Sequence, residues 1–245
     1  MLMLGVPACA TIPPAIEPGP PRPERPVVFV ADGAGDFRAC SGSLRKTVNA
    51  DGLSLEVITY VWSHGYLRNM SDQTDIAHIR DRGGKLADLV RDVRAAGSTA
   101  PVTLVGHSAG SAVVLAAAEQ LPEGSIHRIV LLAPSISEQY DLRPALKATR
   151  DGIDVFVSEK DWIWLGFLVR LLGTPDDPYA ARSAGRFGFA VARDGELANK
   201  VRLHRWTPEC KTLGNDGGHF GCYQPDFLRR KVVPLLKPHG PDPAP

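Results

Sequence analysis

No apolar run in the sequence reaches the about eighteen residues that a bilayer-spanning helix needs. The longest, 162–172, is interrupted by Arg170. Charge of one sign is also lacking: 28 Lys and Arg against 27 Asp and Glu leave a net charge of +1. No basic block stands out, so the electrostatic footprint of a nucleic-acid binder is missing and that class is set aside. Cysteine is scarce at four residues, and neither these nor the seven histidines fall at tight zinc-like spacing, so a metal site has no support. A dinucleotide fingerprint is incomplete as well. In Asp32-Gly-Ala-Gly35 the third glycine would be needed where Arg38 stands. What remains is a chain of 245 residues, 44% hydrophobic, which is enough for a substantial core and commonly forms one domain.

The most informative stretch is Pro101 to Leu115. Val102 to Val105 is an apolar, β-branched run that fits a buried strand, and Ser111 to Leu121 is small and apolar enough to begin a helix at once. Between them stands Gly106-His-Ser-Ala-Gly110, the G-x-S-x-G pattern in which a serine on a tight strand-to-helix turn projects its hydroxyl above the sheet edge. The five letters alone are weak evidence, and the strand and helix around them supply the context the mechanism requires.

With these residues the chain resembles the α/β-hydrolase superfamily over roughly 27–236. The resemblance implies a doubly wound, mostly parallel sheet with helices on both faces. It also implies a triad in the order Ser, Asp or Glu, His. Ser108, Asp161 and His219 occur in that order. Asp161 sits before Trp162 much as the family's acid does; Glu159 is the reserve, and a helix N-cap is the purely structural role open to Asp161. His219 lies in a Gly-rich loop after a strand-like segment, whereas His204 lies inside that segment and His239 in a Pro-rich tail. The oxyanion donors are expected at Ala109 and in the turn after the first strand, at Gly33 or Ala34, although Asp32-Gly33 stands where many members carry His-Gly. No cofactor is required.

In chain order, strands are expected at 27–31, 55–61, 102–105, 126–133, 153–157, 187–191 and 201–206, and helices at 39–50, 72–96, 140–149 and 225–236. Gly83-Gly84 weakens the middle of the long helix and marks a kink or a close contact with another element. Only about twenty residues separate the 126–133 and 153–157 strands, which leaves no room there for a separate cap domain. His64, in a loop after the second strand, either touches substrate or is an ordinary loop residue. Trp162 to Leu172 is apolar nearly all round, so it is either buried or faces lipid, and with Trp162 and Phe167 it is expected to line an acyl pocket. Residues 173–188 are expected to cover the active-site mouth.

Residues 1–26 read as an apolar leader and a Pro-rich tether, and 237–245 as a disordered tail. Val6-Pro-Ala-Cys9 is similar to a bacterial lipobox, or Cys9 is there by chance, so the chain is expected to be exported or lipid-anchored, or else cytoplasmic. Export would permit a disulfide between Cys210 and Cys222, clamping the His219 loop; otherwise one of them pairs with Cys40, or both are small buried hydrophobes. The expected activity is that of a serine hydrolase acting on a small-molecule ester or lipid, such as an esterase or lipase. Thioester, amide and acyl-transfer chemistry use the same triad. The rival is a non-catalytic binding module, motivated by the Asp32-Gly33 turn and the 173–188 segment.

Overall fold

The computed structural model describes residues 25–169, 173–190 and 199–237, without the side chains of residues 163, 167 and 168. The leader with Cys9, nearly all of the tether and the tail lie outside these. Among the described residues six strands form one sheet: β1 (Val27–Ala31), β2 (Glu56–Thr59), β3 (Val102–His107), β4 (Arg128–Leu132), β5 (Ile153–Val157) and β6 (Val201–Arg205). Their order is β2-β1-β3-β4-β5-β6, and every neighbouring pair is parallel. A parallel sheet covered on both faces calls for continuous apolar strands, and β1 and β4 are buried at every position.

Alternate residues of each strand feed two cores. Phe29, Leu104, Ile129 and Val155 pack with α3 (Ile76–Ala95), α4 (Gly110–Ala118) and α5 (Arg143–Ala148) on one face. Val28, Val105, Val130 and Phe156 pack with α1 (Ala39–Ala50) and the C-terminal helical segments of 225–236 on the other. The chain winds from β1 outward to β2, then back across to β3. Loops after β1 and β3 therefore meet at a switch point where ligands bind in open α/β sheets.

Several expectations need correction. The long helix begins earlier and is broken: α2 (Asn69–Thr74) precedes α3, and Asp75 between them accepts a hydrogen bond from the His78 N–H (2.9 Å), capping α3. Gly83 marks a close contact, because a Cβ there would lie 2.7 Å from Ala116 Cβ on α4. No strand forms at 187–190; Ala184–Phe187 is a helical turn whose Gly185 lies against the Pro134 carbonyl, and 191 lies outside the described residues. This places 183–188 behind the helix that follows β5 instead of over the site.

At the lower part of the sheet, the fully buried Asp154 on β5 ties three strands together. Its carboxylate accepts from Arg128 on β4 (2.5 Å), Arg202 (2.8 Å) and His204 (2.7 Å) on β6. Burial alone would push this carboxyl up; the His204, Arg202 and Arg128 bonds outweigh it and hold the group well below the usual carboxylate range. Its stabilising contribution is therefore complete above the unfolded carboxyl pKa of about 3.9 and is lost as pH falls through the depressed folded value. Asp154→Ala removes the shorter of the two carboxylate contacts of the buried Arg128 and leaves it Asp151 (3.0 Å), and urea unfolding at neutral pH should show a loss of about 1–3 kcal/mol. A loss within experimental error would contradict this role.

Candidate active site

The turn from β3 to α4 is completed in two residues. Ser108 has φ of 51°, in the left-handed region that costs a residue with a side chain about 1–2 kcal/mol. The flanking glycines make the close approach possible: a Cβ on Gly106 would lie 2.6 Å from Ser111 Cα, and one on Gly110 would lie 2.2 Å from the Ala31 carbonyl oxygen. The Ser108 N–H donates to the Leu132 carbonyl (3.1 Å) and the Ser108 carbonyl accepts from Ser135 N–H (3.1 Å), so the strained residue is held from both sides.

His219 and Asp161 converge on it. His219 Nε2 is 2.9 Å from Ser108 Oγ, and His219 Nδ1 is 2.6 Å from Asp161 Oδ2. Both side chains are nearly buried, at 5% and 2% exposure, so the pair is shielded from competing water. Asp161 also accepts from the Leu165 N–H at 3.4 Å, which combines the helix-end role with the histidine contact. Glu159 is turned away, with its carbonyl accepting from Arg186 and its side chain 75% exposed.

The His219 loop is shaped by hydrogen bonds. Ser158 Oγ donates to the Gly217 carbonyl (2.6 Å), Trp206 Nε1 to the Asn215 carbonyl (2.9 Å), and Asn215 Oδ1 accepts from the Gly217 N–H (2.9 Å). Gly217 needs its φ of 92° to make this turn. The expected Cys210–Cys222 clamp is absent: both are buried free thiols, with Cys210 Sγ 3.8 Å from Thr207 Oγ1 and Cys222 Sγ 3.6 Å from the His219 carbonyl. Cys210 belongs to the turn that opens the loop and is bonded locally there, so packing and backbone bonds supply the order assigned to a bridge.

Sequence reasoning missed His107, whose neighbouring position in the elbow was the available signal. Its buried ring approaches the His219 carbonyl with Nε2 (3.3 Å) and lies 5.0 Å from the His219 ring. Burial, then the nearby His219, lower its pKa to about 3, so it stays neutral and can donate to that carbonyl.

Gly33 and Ala34 lie beside the serine; a Cβ on Gly33 would be 3.2 Å from Ser108 Cβ. Among the described residues the Ala34 and Ala109 N–H groups have no protein acceptor. The atypical Asp32 carboxylate is spent elsewhere. Its Oδ1 accepts from the Cys40 (2.8 Å) and Ser41 (3.1 Å) N–H groups at the start of α1, and the Asp32 carbonyl accepts from Trp62 Nε1 (2.8 Å).

These residues form the floor of a cavity of about 570 Å³, walled by Phe37, Met70, Trp164, Val169, Phe220 and Tyr223. Trp164 lies over His219, ring centroids 5.7 Å apart. Trp162 is not among the lining residues and is 62% exposed; in the π-wound helix Ile163–Leu168, Trp164 and Val169 are five residues apart and share the inner face. Among its described side chains Trp164 is exposed and Leu165 buried, so the segment is not buried all round, and the Phe167 side chain lies outside the described residues. His64 does not reach the cavity. Its Nδ1 is 2.9 Å from Asp72 and its Nε2 3.3 Å from Asp75, and its ring stacks on His78, which makes it a structural loop residue.

Solved structures with similar folds include LpqC, a poly(3-hydroxybutyrate) depolymerase from Bordetella parapertussis, at 14% identity and a TM-score of 0.49, covering 88% of this chain and 84% of that one. An extracellular alpha/beta-hydrolase from a Paenibacillus species is 12% identical, with a TM-score of 0.46 over 86% and 98% of the two chains. The carboxylesterase CesB from Bacillus subtilis is 12% identical, with a TM-score of 0.42 over 86% and 84%. No curated protein matches the sequence. The family described as alpha/beta hydrolase matches residues 27–239, and with the parallel sheet and the serine elbow already described this chain belongs to the α/β-hydrolase family.

Proposed function

We propose that this chain is a serine hydrolase that cleaves carboxylic esters with an apolar acyl part through an acyl-enzyme. The observation that carries the reading is the continuous hydrogen-bonded line from Asp161 through His219 to Ser108, laid on the floor of an apolar cavity. A serine hydroxyl is a poor nucleophile until a base takes its proton. His219 Nε2 would accept the Ser108 proton as Oγ bonds to the ester carbonyl carbon, and Asp161 would hold the tautomer and stabilise the imidazolium. The carbonyl oxygen becomes an oxyanion, for which the unpaired N–H groups of Ala109 and Ala34 are the proposed donors, with Gly33 supplying the close backbone approach. His219 then protonates the departing alkoxide. Water, deprotonated by the same histidine, cleaves the acyl-serine and restores the enzyme.

An apolar acyl group is favoured by the cavity walls and by what surrounds them. Phe37, Met70, Trp164 and Phe220 line the cavity while remaining 40–57% exposed, so the entrance is itself apolar. Burying one further acyl methylene there contributes up to about 0.8 kcal/mol, roughly fourfold in kcat/KM.

Ser108→Ala and His219→Ala should each remove nearly all ester hydrolysis, and the double variant should lose no more than either single one, as expected for groups acting as a unit. Steady-state kinetics on p-nitrophenyl esters reads this, and a fully active Ser108→Ala would refute the assignment. With the same substrates kcat/KM should rise from acetate to hexanoate, and Met70→Asp, an exposed position at the entrance, should flatten the rise. A preference for acetate, unchanged by Met70→Asp, would contradict the apolar acyl site.

A further inference from the structure

Asp72 lies on α2, outside the triad, and its side chain is fully buried. A buried carboxylate must find donors or impose a large desolvation cost. Asp72 has four. Oδ2 accepts from the Gly35 N–H (2.7 Å) and from Ser63 Oγ (2.5 Å), and Oδ1 accepts from the His64 N–H (2.8 Å) and His64 Nδ1 (2.9 Å). These bonds fill the acceptor sites a carboxylate offers.

The first of them reaches the turn beside Ser108. Gly35 has φ of 90°, and its carbonyl accepts from the Leu67 N–H (3.2 Å), so the residue is gripped at both its N–H and its C=O by the 63–72 segment. At the other end of the turn, Asp32 is gripped by Trp62 Nε1 and by the N–H groups of Cys40 and Ser41. Gly33 and Ala34 span the two anchored ends. The direction of the Ala34 N–H is then set by the anchors on Asp32 and Gly35, and only the Asp72 bond is made by an ionisable side chain at the Gly35 end.

We propose that Asp72 is a positioning residue for the reaction: through the Gly35 N–H it holds the Ala34 N–H where the oxyanion develops. This rests on the serine-hydrolase reading above. Preorganised donors accelerate the reaction because they need no rearrangement as charge appears, and a displaced donor loses that advantage while leaving substrate binding largely intact.

The Gly35 N–H on Oδ2 and the His64 N–H on Oδ1 can only donate, so Asp72→Asn keeps the volume yet sets its NH₂ against a backbone donor in either orientation. Loss of donor geometry on this scale should lower kcat by about tenfold to a hundredfold with KM within about twofold. The decisive readout is a pair of inhibitors with the same apolar chain: a trifluoromethyl ketone, which adds to the serine oxygen and places an oxyanion in the site, and the matching methyl ketone, which binds as a ground-state carbonyl. The trifluoromethyl ketone should weaken by the same factor as kcat/KM, and the methyl ketone should be unchanged. A purely structural role would lower the melting temperature and leave the inhibitor ratio at its wild-type value, which would overturn the proposal. Should Asp72→Asn fold poorly, Asp72→Ser assayed in the cold with the same inhibitor pair gives the same two outcomes. Ser108→Ala is run alongside: turnover by that variant defeats the serine-hydrolase reading itself, whereas a dead Ser108→Ala with an unaffected Asp72→Asn defeats only the role of Asp72.

Discussion

The strained turn at Ser108 is the constraint on which the rest of the structure depends. β3 must become α4 within two residues, which demands a positive φ at the serine and glycines on both sides where backbone meets backbone. The strain is offset by burial. All nine residues of α4 are buried, and the helix is pinned against α3 at Gly83, so the turn cannot relax without opening the core. Fixing the serine also fixes its neighbours: His107 is carried into position under the His219 loop, and the Ser108 carbonyl binds the segment after β4.

Around this turn the polar groups are arranged in layers. His219 is held by Asp161 through its ring and by His107 and Cys222 through its carbonyl, and its loop is held by Ser158, Trp206 and Asn215. The turn after β1 is held by α1 at one end and by the Asp72 cluster at the other. Two buried carboxyl groups, Asp32 and Asp72, accept backbone N–H bonds that hold the two ends of the turn containing Ala34. Asp32 presents Oδ1 to the N–H groups at the start of α1, and burial pushes its carboxyl up from the usual range, which limits the negative charge it places beside the proposed oxyanion donors.

Much of this was legible in the sequence because it depends on local pattern. The elbow, the helix at 39–50 and the strands at 27–31 and 153–157 follow from apolar runs punctuated by Gly and Pro. The order of Ser108, Asp161 and His219 follows from the resemblance to the family. What was not legible depends on contacts between distant segments. The bonding of His64 to Asp72 and Asp75, in place of a cavity contact, cannot be read from spacing. Nor can which of Trp162 and Trp164 meets the cavity, since residues two apart on a helix lie on opposite faces and spacing does not say which face is turned inward. Cys210 and Cys222 bracket the His219 loop in sequence, but bracketing does not bring two sulfur atoms together, and each is bonded within its own turn. Asp154 joins β4, β5 and β6 only after the parallel register is set.

The central claim is that Ser108 is the nucleophile. Treating the protein with a fluorophosphonate and mapping the modified peptide by tandem mass spectrometry addresses it directly. The account predicts one adduct, on Ser108, formed in the native protein and abolished on unfolding. An adduct on another serine, or none in a folded protein that hydrolyses esters, would contradict it.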